Sequence, residues 1–463
     1  MTVEPTRRTR PPSVERLLIE PREELHGRDH DAVVRVARAV IADERDRLAS
    51  GSPPRAVGEL AAELVTRLDA LLVPGPTTVI NGTGVIVHTN IGRAPWPAAA
   101  IAAASRAAVS PSFLELDRAS GRRGSRYRVA EEHLIALTGS EDALVTNNNA
   151  AALALAVGLA GRGGVIVSRG ELVEIGGGVR IPDIVRRAGA KLIEVGTTNR
   201  TRADDFAGPL ADGRARLVLR VHPSNFRQDG FVESPDPTAL AELAHAHGAV
   251  VIDDLGSGAL LATEAFGLAH EPTPAERLAA GADLVTFSGD KLVGGPQAGL
   301  VVGRADLVAR LRKDPLARAT RPDKVTLAAV AATLGLYLGG LAVREIPVWR
   351  MIAARPDDLR ARVEAMLARL DDPTMDAHPF AMASTVGGGS LPGETLPSWG
   401  LSLGGRSADA LLARLRRGTP AVVARIEDGR VLVDLRTVDP LDDPDLTRAI
   451  AAAVAGSRRT GPA

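Results

Sequence analysis

The 463-residue sequence contains no cysteine and only 3% aromatic residues. The absence of cysteine excludes disulfides, thiolate metal sites and a cysteine nucleophile. No apolar run reaches the roughly 18 to 20 residues that a membrane-spanning helix needs. The arginines near the N-terminus are not followed by the apolar segment of a secretory signal. From these absences we expect a soluble, cytoplasmic protein.

Net charge is also absent, because 56 Lys and Arg residues oppose 56 Asp and Glu residues. Such a chain has no overall field that attracts a polyanion, so a nucleic-acid surface must be local or assembled by oligomerisation. Lysine is scarce, and the sequence contains only Lys191, Lys291, Lys313 and Lys324. A function that needs a reactive lysine therefore has few candidates.

The hydrophobic pattern predicts an α/β protein with smaller flanking domains. Helical spacing of apolar residues predicts a helical N-terminal domain over residues 1–76, whose balanced charge also fits a salt-bridged cap with no binding role. Strand-like runs alternate with helical stretches over residues 77–344, as in a mainly parallel sheet covered on both faces. The pattern predicts a small α+β domain over residues 345–455 and a disordered tail over residues 456–463.

Six apolar runs are predicted as strands of the large sheet, at residues 143–146, 165–168, 191–195, 217–221, 250–254 and 284–288. Ligands of such sheets bind at the carboxyl ends of the strands. The residues that follow these runs are therefore the candidate site residues.

The strongest local signal is an apolar strand that leads to Ser288 and then to Lys291, ahead of a glycine-rich turn. A cofactor aldehyde reacts with a lysine whose amine is neutral, and burial at a strand end lowers the pKa of an amine. A surface lysine at a turn is the alternative. We predict that Lys291 binds a cofactor aldehyde and that Ser288 contributes to a phosphate site.

A second apolar strand ends in two acids, Asp253 and Asp254, before another glycine-rich turn. A buried acid is costly unless it is paired, and a protonated pyridine nitrogen is a suitable partner. A magnesium site and a helix N-cap are the alternatives. We favour Asp254 for the pyridine nitrogen, while the pattern leaves Asp253 open.

A third strand runs through asparagines into an alanine-rich helix. Backbone N–H groups at a helix N-terminus bind anions, and small side chains let a phosphate approach. We therefore predict phosphate binding at Asn148, Asn149 and Ala150, with an ordinary asparagine cap as the alternative. Phosphate site, acid and lysine follow one another along a single alternating sheet, and together they predict a pyridoxal 5′-phosphate enzyme.

In these motifs and in further stretches, the sequence resembles bacterial selenocysteine synthase, the L-seryl-tRNA(Sec) selenium transferase family. The resemblance extends over about residues 12–450, and its matching stretches are residues 80–95, 123–127, 147–150, 171–177, 196–199, 222–226, 254–258 and 288–291. It implies a fold-type-I pyridoxal-phosphate transferase that converts seryl-tRNA(Sec) to selenocysteinyl-tRNA(Sec) with selenophosphate, through a dehydroalanyl intermediate on the cofactor.

The same resemblance implies further site residues and an assembly. It adds Asp290 to the catalytic residues Lys291 and Asp254, and implies that four arginines hold the selenium donor: Arg93, Arg126, Arg318 and Arg321. Arginine suits this role because it binds phosphate-like groups bidentately. A ring-shaped homodecamer is implied, with active sites between subunits and N-terminal domains that bind the tRNA. No metal is expected.

Two other functions fit parts of the pattern. One is a fold-type-I enzyme that acts on a free amino acid or a sulfur substrate, since one fold supports many reactions. The other is a non-enzymatic RNA-binding or scaffold protein that has kept the fold. The sequence also leaves open which group stacks on the cofactor ring.

Overall fold

The computed structural model describes residues 10–72, 75–126, 128–175, 178–370, 372 and 375–459. The chain divides into two compact units, Met1–Thr78 and Val79–Ala463. Parts of the predicted N-terminal domain, at residues 1–9 and 73–74, lie outside the described residues, as do residues 460–463 of the predicted tail. The domain boundaries of the sequence analysis stay predictions.

The described residues of the first unit form three helices, α1 (Val14–Ile19), α2 (His30–Ala49) and α3 (Val57–Leu72). The side chains of Ser13 and Asp29 accept hydrogen bonds from the first turns of α1 and α2, which fixes where these helices begin. Apolar side chains from all three helices form one buried cluster, in which Leu17, Val40 and Leu64 are fully buried.

The second unit contains the remaining helices. They are α4 (Ala98–Val109), α5 (Arg128–Thr138), α6 (Asn149–Val157), α7 (Ile181–Arg187), α8 (Ala203–Ala211), α9 (Pro237–Ala246), α10 (Pro274–Ala279), α11 (Ala305–Lys313), α12 (Pro315–Ala319), α13 (Lys324–Leu338), α14 (Ala342–Glu345), α15 (Pro347–Ala353), α16 (Pro356–Leu370), α17 (Ala408–Arg417) and α18 (Asp443–Arg459). Helix α18 continues to Arg459, so the prediction of disorder is wrong for residues 456–459. The alanine-rich run at residues 449–455, within this helix, favours helix formation.

All strands in the described part of the chain belong to the second unit. They are β1 (Val79–Asn81), β2 (Val85–Val87), β3 (Asp142–Thr146), β4 (Gly164–Ser168), β5 (Glu174–Ile175), β6 (Val179–Arg180), β7 (Lys191–Val195), β8 (Ala215–Val221), β9 (Val250–Gly256), β10 (Leu284–Ser288), β11 (Gly299–Gly303), β12 (Ala377–Gly387), β13 (Thr395–Leu403), β14 (Ala421–Val423), β15 (Arg425–Glu427) and β16 (Arg430–Asp434).

Seven strands form the large sheet in the order β3-β11-β10-β9-β8-β4-β7. All pairs are parallel except those of β11, which is antiparallel to both neighbours. The predicted mainly parallel α/β sheet is therefore confirmed. The sequence analysis missed β11 because it is bounded by glycines and follows a glycine-rich turn. The short link from β10 cannot hold the crossover of a dozen or more residues that a parallel pair requires.

The second sheet joins distant parts of the chain in the order β15-β16-β13-β12-β2. Strand β2 pairs in parallel with β12, and β1 pairs in parallel with β14. These two short strands, near the start of the second unit, thus find partners more than 290 residues later, at Thr385 and Ala421. This pairing puts the loop after β12 beside the loop after β2.

Buried apolar residues fill the faces of the large sheet, with Val145, Phe287 and Leu292 on one side and Val167, Leu219 and Ile252 on the other. Parallel strands β8, β9 and β10 have their carboxyl ends at one edge, where the second sheet's loops also lie. Within the described residues, no helix is long and apolar enough to cross a membrane.

Candidate active site

Lys291 lies just beyond the carboxyl end of β10, in a cavity of about 370 Å³ that we call the Lys291 cavity. The loop after β12 closes over this side chain at Gly389, whose φ is +81°. A Cβ at Gly389 would lie 2.8 Å from Lys291 Cε and would overlap Nζ. Any other residue would displace the end of the lysine and would also be strained by this left-handed φ.

Burial lowers the pKa of the Lys291 amine, and the charge of Arg93 lowers it further. The negative charges of Asp254, Asp290 and Glu271 oppose this effect, and Asp254 contributes most among them. An amine with a lowered pKa is neutral, and hence nucleophilic, at lower pH than an exposed lysine. The role of Lys291 in binding a cofactor aldehyde stays a prediction, and this environment is chemically suited to it.

Asp254 lies near the carboxyl end of β9 and lines the Lys291 cavity. Its Oδ1 accepts hydrogen bonds from Asn149 Nδ2 at 2.8 Å and from Thr286 Oγ1 at 2.9 Å. Burial raises the pKa of Asp254, whereas these two hydrogen bonds and the charge of Lys291 lower it. The carboxylate is thus held in a fixed orientation and retains a site for a cationic partner.

The adjacent Asp253 faces a different cavity, where Arg277 Nε lies 3.5 Å from its Oδ2. Successive side chains of a strand point to opposite faces, so the two acids cannot both face the lysine. Of the two candidates, Asp254 is the one that lines the Lys291 cavity.

The N-terminus of α6 also lines the Lys291 cavity, through Asn148, Asn149 and Ala150. Asn148 caps the helix, because its Oδ1 accepts a hydrogen bond from Ala151 N at 2.9 Å. The first helical residues, Asn149 and Ala150, have N–H groups without intrahelical acceptors. Ser288 lines the same cavity. The asparagine cap and the anion site, which the sequence offered as alternatives, are therefore compatible.

Asp290 pairs with Arg93, since Arg93 Nη1 lies 2.7 Å from Asp290 Oδ2. Both residues line the Lys291 cavity. Arg93 follows β2 and has a φ of 61°, a left-handed conformation that is uncommon outside glycine. A backbone hydrogen bond of 3.3 Å from Ala94 N to Asp290 O also joins the two segments. Asp290 thereby orients one of the predicted substrate arginines.

The other three predicted arginines, Arg126, Arg318 and Arg321, line a separate cavity of about 720 Å³, which we call the arginine cavity. Arg126 and Arg321 share the Glu115 carboxylate. Arg126 Nη2 lies 2.9 Å and Arg321 Nη1 lies 3.5 Å from Glu115 Oε1. Hydrogen bonds from Arg126 and Arg123 lower the pKa of Glu115. One carboxylate therefore faces several guanidinium groups, and the cavity keeps an excess of positive charge.

The arginine cavity and the Lys291 cavity have no lining residue in common, but they approach one another at the end of β3. Asn147 N donates a 2.8 Å hydrogen bond to Thr320 O. Thr320 stands between Arg318 and Arg321, and Asn147 immediately precedes the cap of α6. The four predicted arginines are thus divided between two cavities of one chain.

The sequence analysis assigned no role to several other lining residues of the Lys291 cavity, namely Thr89, His222, Ser224, Asn225, Gln297 and Gly388 with Gly389. The polar residues of this group follow β2, β8 or β10, so their position after a strand was an available signal. Gly388 and Gly389 lie in the loop after β12, a strand of the second sheet. In the sequence, the glycine run 387–389 was the available sign that another segment approaches the backbone closely there.

The Lys291 cavity fits pyridoxal phosphate in its donor chemistry. It combines an amine for an aldehyde, a carboxylate for a pyridinium nitrogen and a helix N-terminus for a phosphate. Asn149 Oδ1 is buried and, among the described residues, has no hydrogen-bond donor. A polar ligand would satisfy it, since buried polar atoms in proteins are normally hydrogen-bonded.

The chain is similar to known proteins over most of its length. Residues 79–439 match the family model described as L-seryl-tRNA selenium transferase. A protein named L-seryl-tRNA(Sec) selenium transferase from Moorella thermoacetica is 43% identical over 459 residues, which are 97% of either chain. The protein of that name from Carboxydothermus hydrogenoformans is 42% identical, covering 92% of this chain and 93% of the other.

Among solved structures, one titled "Structure of D-Glucosaminate-6-phosphate Ammonia-lyase" is similar with a TM-score of 0.59. The similarity covers 84% of this chain and 100% of that chain, at 20% sequence identity. Identity this low supports the fold and carries no information about the reaction.

Proposed function

The chain belongs to the L-seryl-tRNA selenium transferase family, and from this premise we propose that the Lys291 cavity converts seryl-tRNA(Sec) to selenocysteinyl-tRNA(Sec). The enzyme is a pyridoxal-phosphate-dependent transferase. One observation supports this proposal most strongly: a buried lysine with a lowered pKa lies beside an oriented carboxylate in a chain of this family.

Pyridoxal 5′-phosphate, when bound, supplies an aldehyde that takes up an amine and a ring that withdraws electrons from the α-carbon. Lys291 would hold the aldehyde, and its amine would take the α-proton of the seryl group. Asp254 holds a proton on the ring nitrogen, helped by Asn149 and Thr286, which fix its orientation. The N-terminus of α6 and Ser288 bind the phosphate.

The selenium donor in this proposal is selenophosphate, bound by arginine. Arg93, oriented by Asp290, offers a guanidinium beside Lys291. Arg126, Arg318 and Arg321 contribute the excess positive charge of the arginine cavity. We propose that assembly of a ring-shaped homodecamer brings the arginine cavity of one subunit to the Lys291 cavity of a neighbour, so that all four arginines surround one donor.

The net reaction balances without a further reactant. The Cβ–O bond of the seryl group breaks and its oxygen leaves as water, while selenium forms a new bond to Cβ. The selenium–phosphorus bond then breaks as water takes the phosphoryl group. Seryl-tRNA and selenophosphate thus yield selenocysteinyl-tRNA and phosphate. We further propose that residues 1–76 bind the tRNA and that the enzyme acts in the cytoplasm.

The absorption spectrum of the protein loaded with pyridoxal phosphate tests the substrate. We expect the near-visible band to shift with seryl-tRNA(Sec) and to stay unchanged with seryl-tRNA(Ser) or free serine. Selenophosphate should then yield selenocysteinyl-tRNA. A band that responds to free serine and ignores both tRNAs would show that the substrate is a free amino acid.

Lys291→Ala is the matched variant for the cofactor site. It should still bind pyridoxal phosphate but should give no covalent lysine adduct on borohydride reduction, and its product formation should fall by about 10²- to 10⁴-fold. Lys313→Ala is the control, because Lys313 lies in the arginine cavity and should leave the adduct intact. A borohydride adduct in Lys291→Ala would refute the assignment.

A further inference from the structure

A second cavity of about 500 Å³, which we call the polar cavity, adjoins the Lys291 cavity. Val221 and His222 line both of them. The mechanism proposed above uses none of the charged groups in the polar cavity. These are three buried carboxylates, of Glu171, Asp253 and Glu271, and two arginines, Arg220 and Arg277, together with Arg227, Glu233 and Glu394.

The internal pairing of these groups is incomplete. Arg220 Nε lies 2.8 Å from Glu171 Oε1, and Glu271 Oε1 lies 3.3 Å from His222 Nε2. Three buried atoms nevertheless have no hydrogen-bond partner in the described parts of the chain: Arg220 Nη1, Arg277 Nε and Glu271 Oε1. Two are donors and one is an acceptor. Glu271 itself is only 2% exposed. Buried polar atoms left in this state are costly, so they point to a polar ligand.

The charges of the polar cavity limit the class of ligand. Five carboxylates against three guanidinium groups leave no excess positive charge, so the polar cavity has no surplus cation for a phosphate. The atoms without a hydrogen-bond partner call for a neutral molecule that has both donors and acceptors. At the mouth of the cavity the side chains of Thr198, Asn199 and Gln228 are uncharged and polar, which suits the same class of ligand.

We infer that the polar cavity binds the 3′-terminal nucleoside of the aminoacyl-tRNA. This inference rests on the proposed function, because the serine that reaches Lys291 is esterified to the ribose of that nucleoside. The nucleoside must therefore lie next to the Lys291 cavity, and the polar cavity is the neighbour that shares its wall at His222. Adenosine presents hydroxyl and amine donors to Glu271 and ring-nitrogen acceptors to Arg220 and Arg277.

The terminal base tests this inference directly. Seryl-tRNA(Sec) ending in CCA is compared with the same tRNA ending in CCC, using the full-length enzyme loaded with cofactor. Wild type should prefer the CCA ending by about tenfold or more in kcat/KM, as expected where buried polar groups lose their partners. Glu271→Ala should lose most of that preference. Equal preference in wild type and in the variant would overturn the inference.

A rim variant keeps the test valid if Glu271→Ala does not fold. Ser234 is exposed at the mouth of the polar cavity, so Ser234→Trp should narrow the entrance, raise KM for the CCA-ended tRNA and lose the CCA preference. Ser105→Trp, at an exposed position on α4, is the matched control and should behave as wild type. Retention of the full CCA preference in Ser234→Trp would contradict the proposed location.

Equilibrium binding separates this inference from the proposed function. The trinucleotides CpCpA and CpCpC are titrated against wild type and Ser234→Trp without selenophosphate. Preferential binding of CpCpA that is lost in Ser234→Trp supports the nucleoside site even if no selenium is transferred. Selenium transfer with no difference between the two trinucleotides, in binding or in turnover, would refute the site while leaving the proposed function intact.

Discussion

Asp253 and Asp254 are neighbours on β9, and burial raises the pKa of both, yet they serve two different cavities. Asp254 is oriented by two neutral donors and faces a single lysine. Asp253 faces Arg277 among a cluster of buried charges. One position along a strand thus separates the cavity of the proposed chemistry from the cavity proposed to hold the end of the substrate.

The largest effect on catalysis should come from replacing each of the two acids, one at a time, by asparagine. We expect Asp254→Asn to lower kcat by about 10²- to 10³-fold, because it removes a charge positioned at the reacting group. Asp253→Asn should act mainly on KM for seryl-tRNA(Sec). Steady-state kinetics measures both effects, and circular dichroism checks the fold. Similar losses of kcat in the two variants would show that the cavities are not functionally separate.

Gly389→Ala should have the next largest effect. A methyl group there overlaps the end of Lys291, so we expect less lysine adduct after borohydride reduction and a fall in kcat of about tenfold or more. Gly393→Ala is the matched control, because Gly393 has a similar φ of +82° but only an ordinary contact at 3.7 Å. If both variants lose adduct equally, backbone strain rather than crowding of the lysine is responsible.

The arginine cavity adds a third region to the comparison. Arg318→Ala should raise KM for selenophosphate by about tenfold, the loss expected for one charge-assisted contact, with little change in KM for seryl-tRNA(Sec). Arg310→Ala, at an exposed position on α11, should change neither constant. An Arg318→Ala effect confined to the tRNA would remove this residue from the donor site.

The smallest effect is a shift in pH dependence. The rate at which the apo-protein incorporates pyridoxal phosphate, trapped by borohydride, should rise with pH as Lys291 loses its proton. Asp254 raises the pKa of Lys291, so Asp254→Asn should move the midpoint to lower pH. Arg93 lowers that pKa, so Arg93→Ala should move the midpoint to higher pH. Shifts in the same direction would contradict this electrostatic account.

Much of the large sheet was predictable because each strand carries its own signal. All six predicted strands are present, and an apolar run followed by glycines or polar residues identified their carboxyl ends. Strand β11 was missed since glycines at both of its ends resemble a turn. Strands β1 and β2 were missed because three-residue strands have little periodicity, and their partners lie hundreds of residues away.

The site shows the same limit. Lys291, Asp254 and the asparagines before α6 were identified from local order along the chain, and all of them line one cavity. Gly389 was not, because both its left-handed φ and the approach of Lys291 exist only in the folded chain. Nor could the sequence reveal that Arg93 lies with Lys291 while Arg126, Arg318 and Arg321 lie elsewhere.

The sequence alone determined the fold class, the resemblance to a family and the candidate lysine, because these depend on residue type, spacing and chain order. Tertiary structure alone decided which of Asp253 and Asp254 faces Lys291, and which glycine closes over it. It also decided how the arginines are divided and where buried polar atoms lack partners. These properties depend on contacts between segments far apart in the chain, and such contacts exist only once the sheets have assembled.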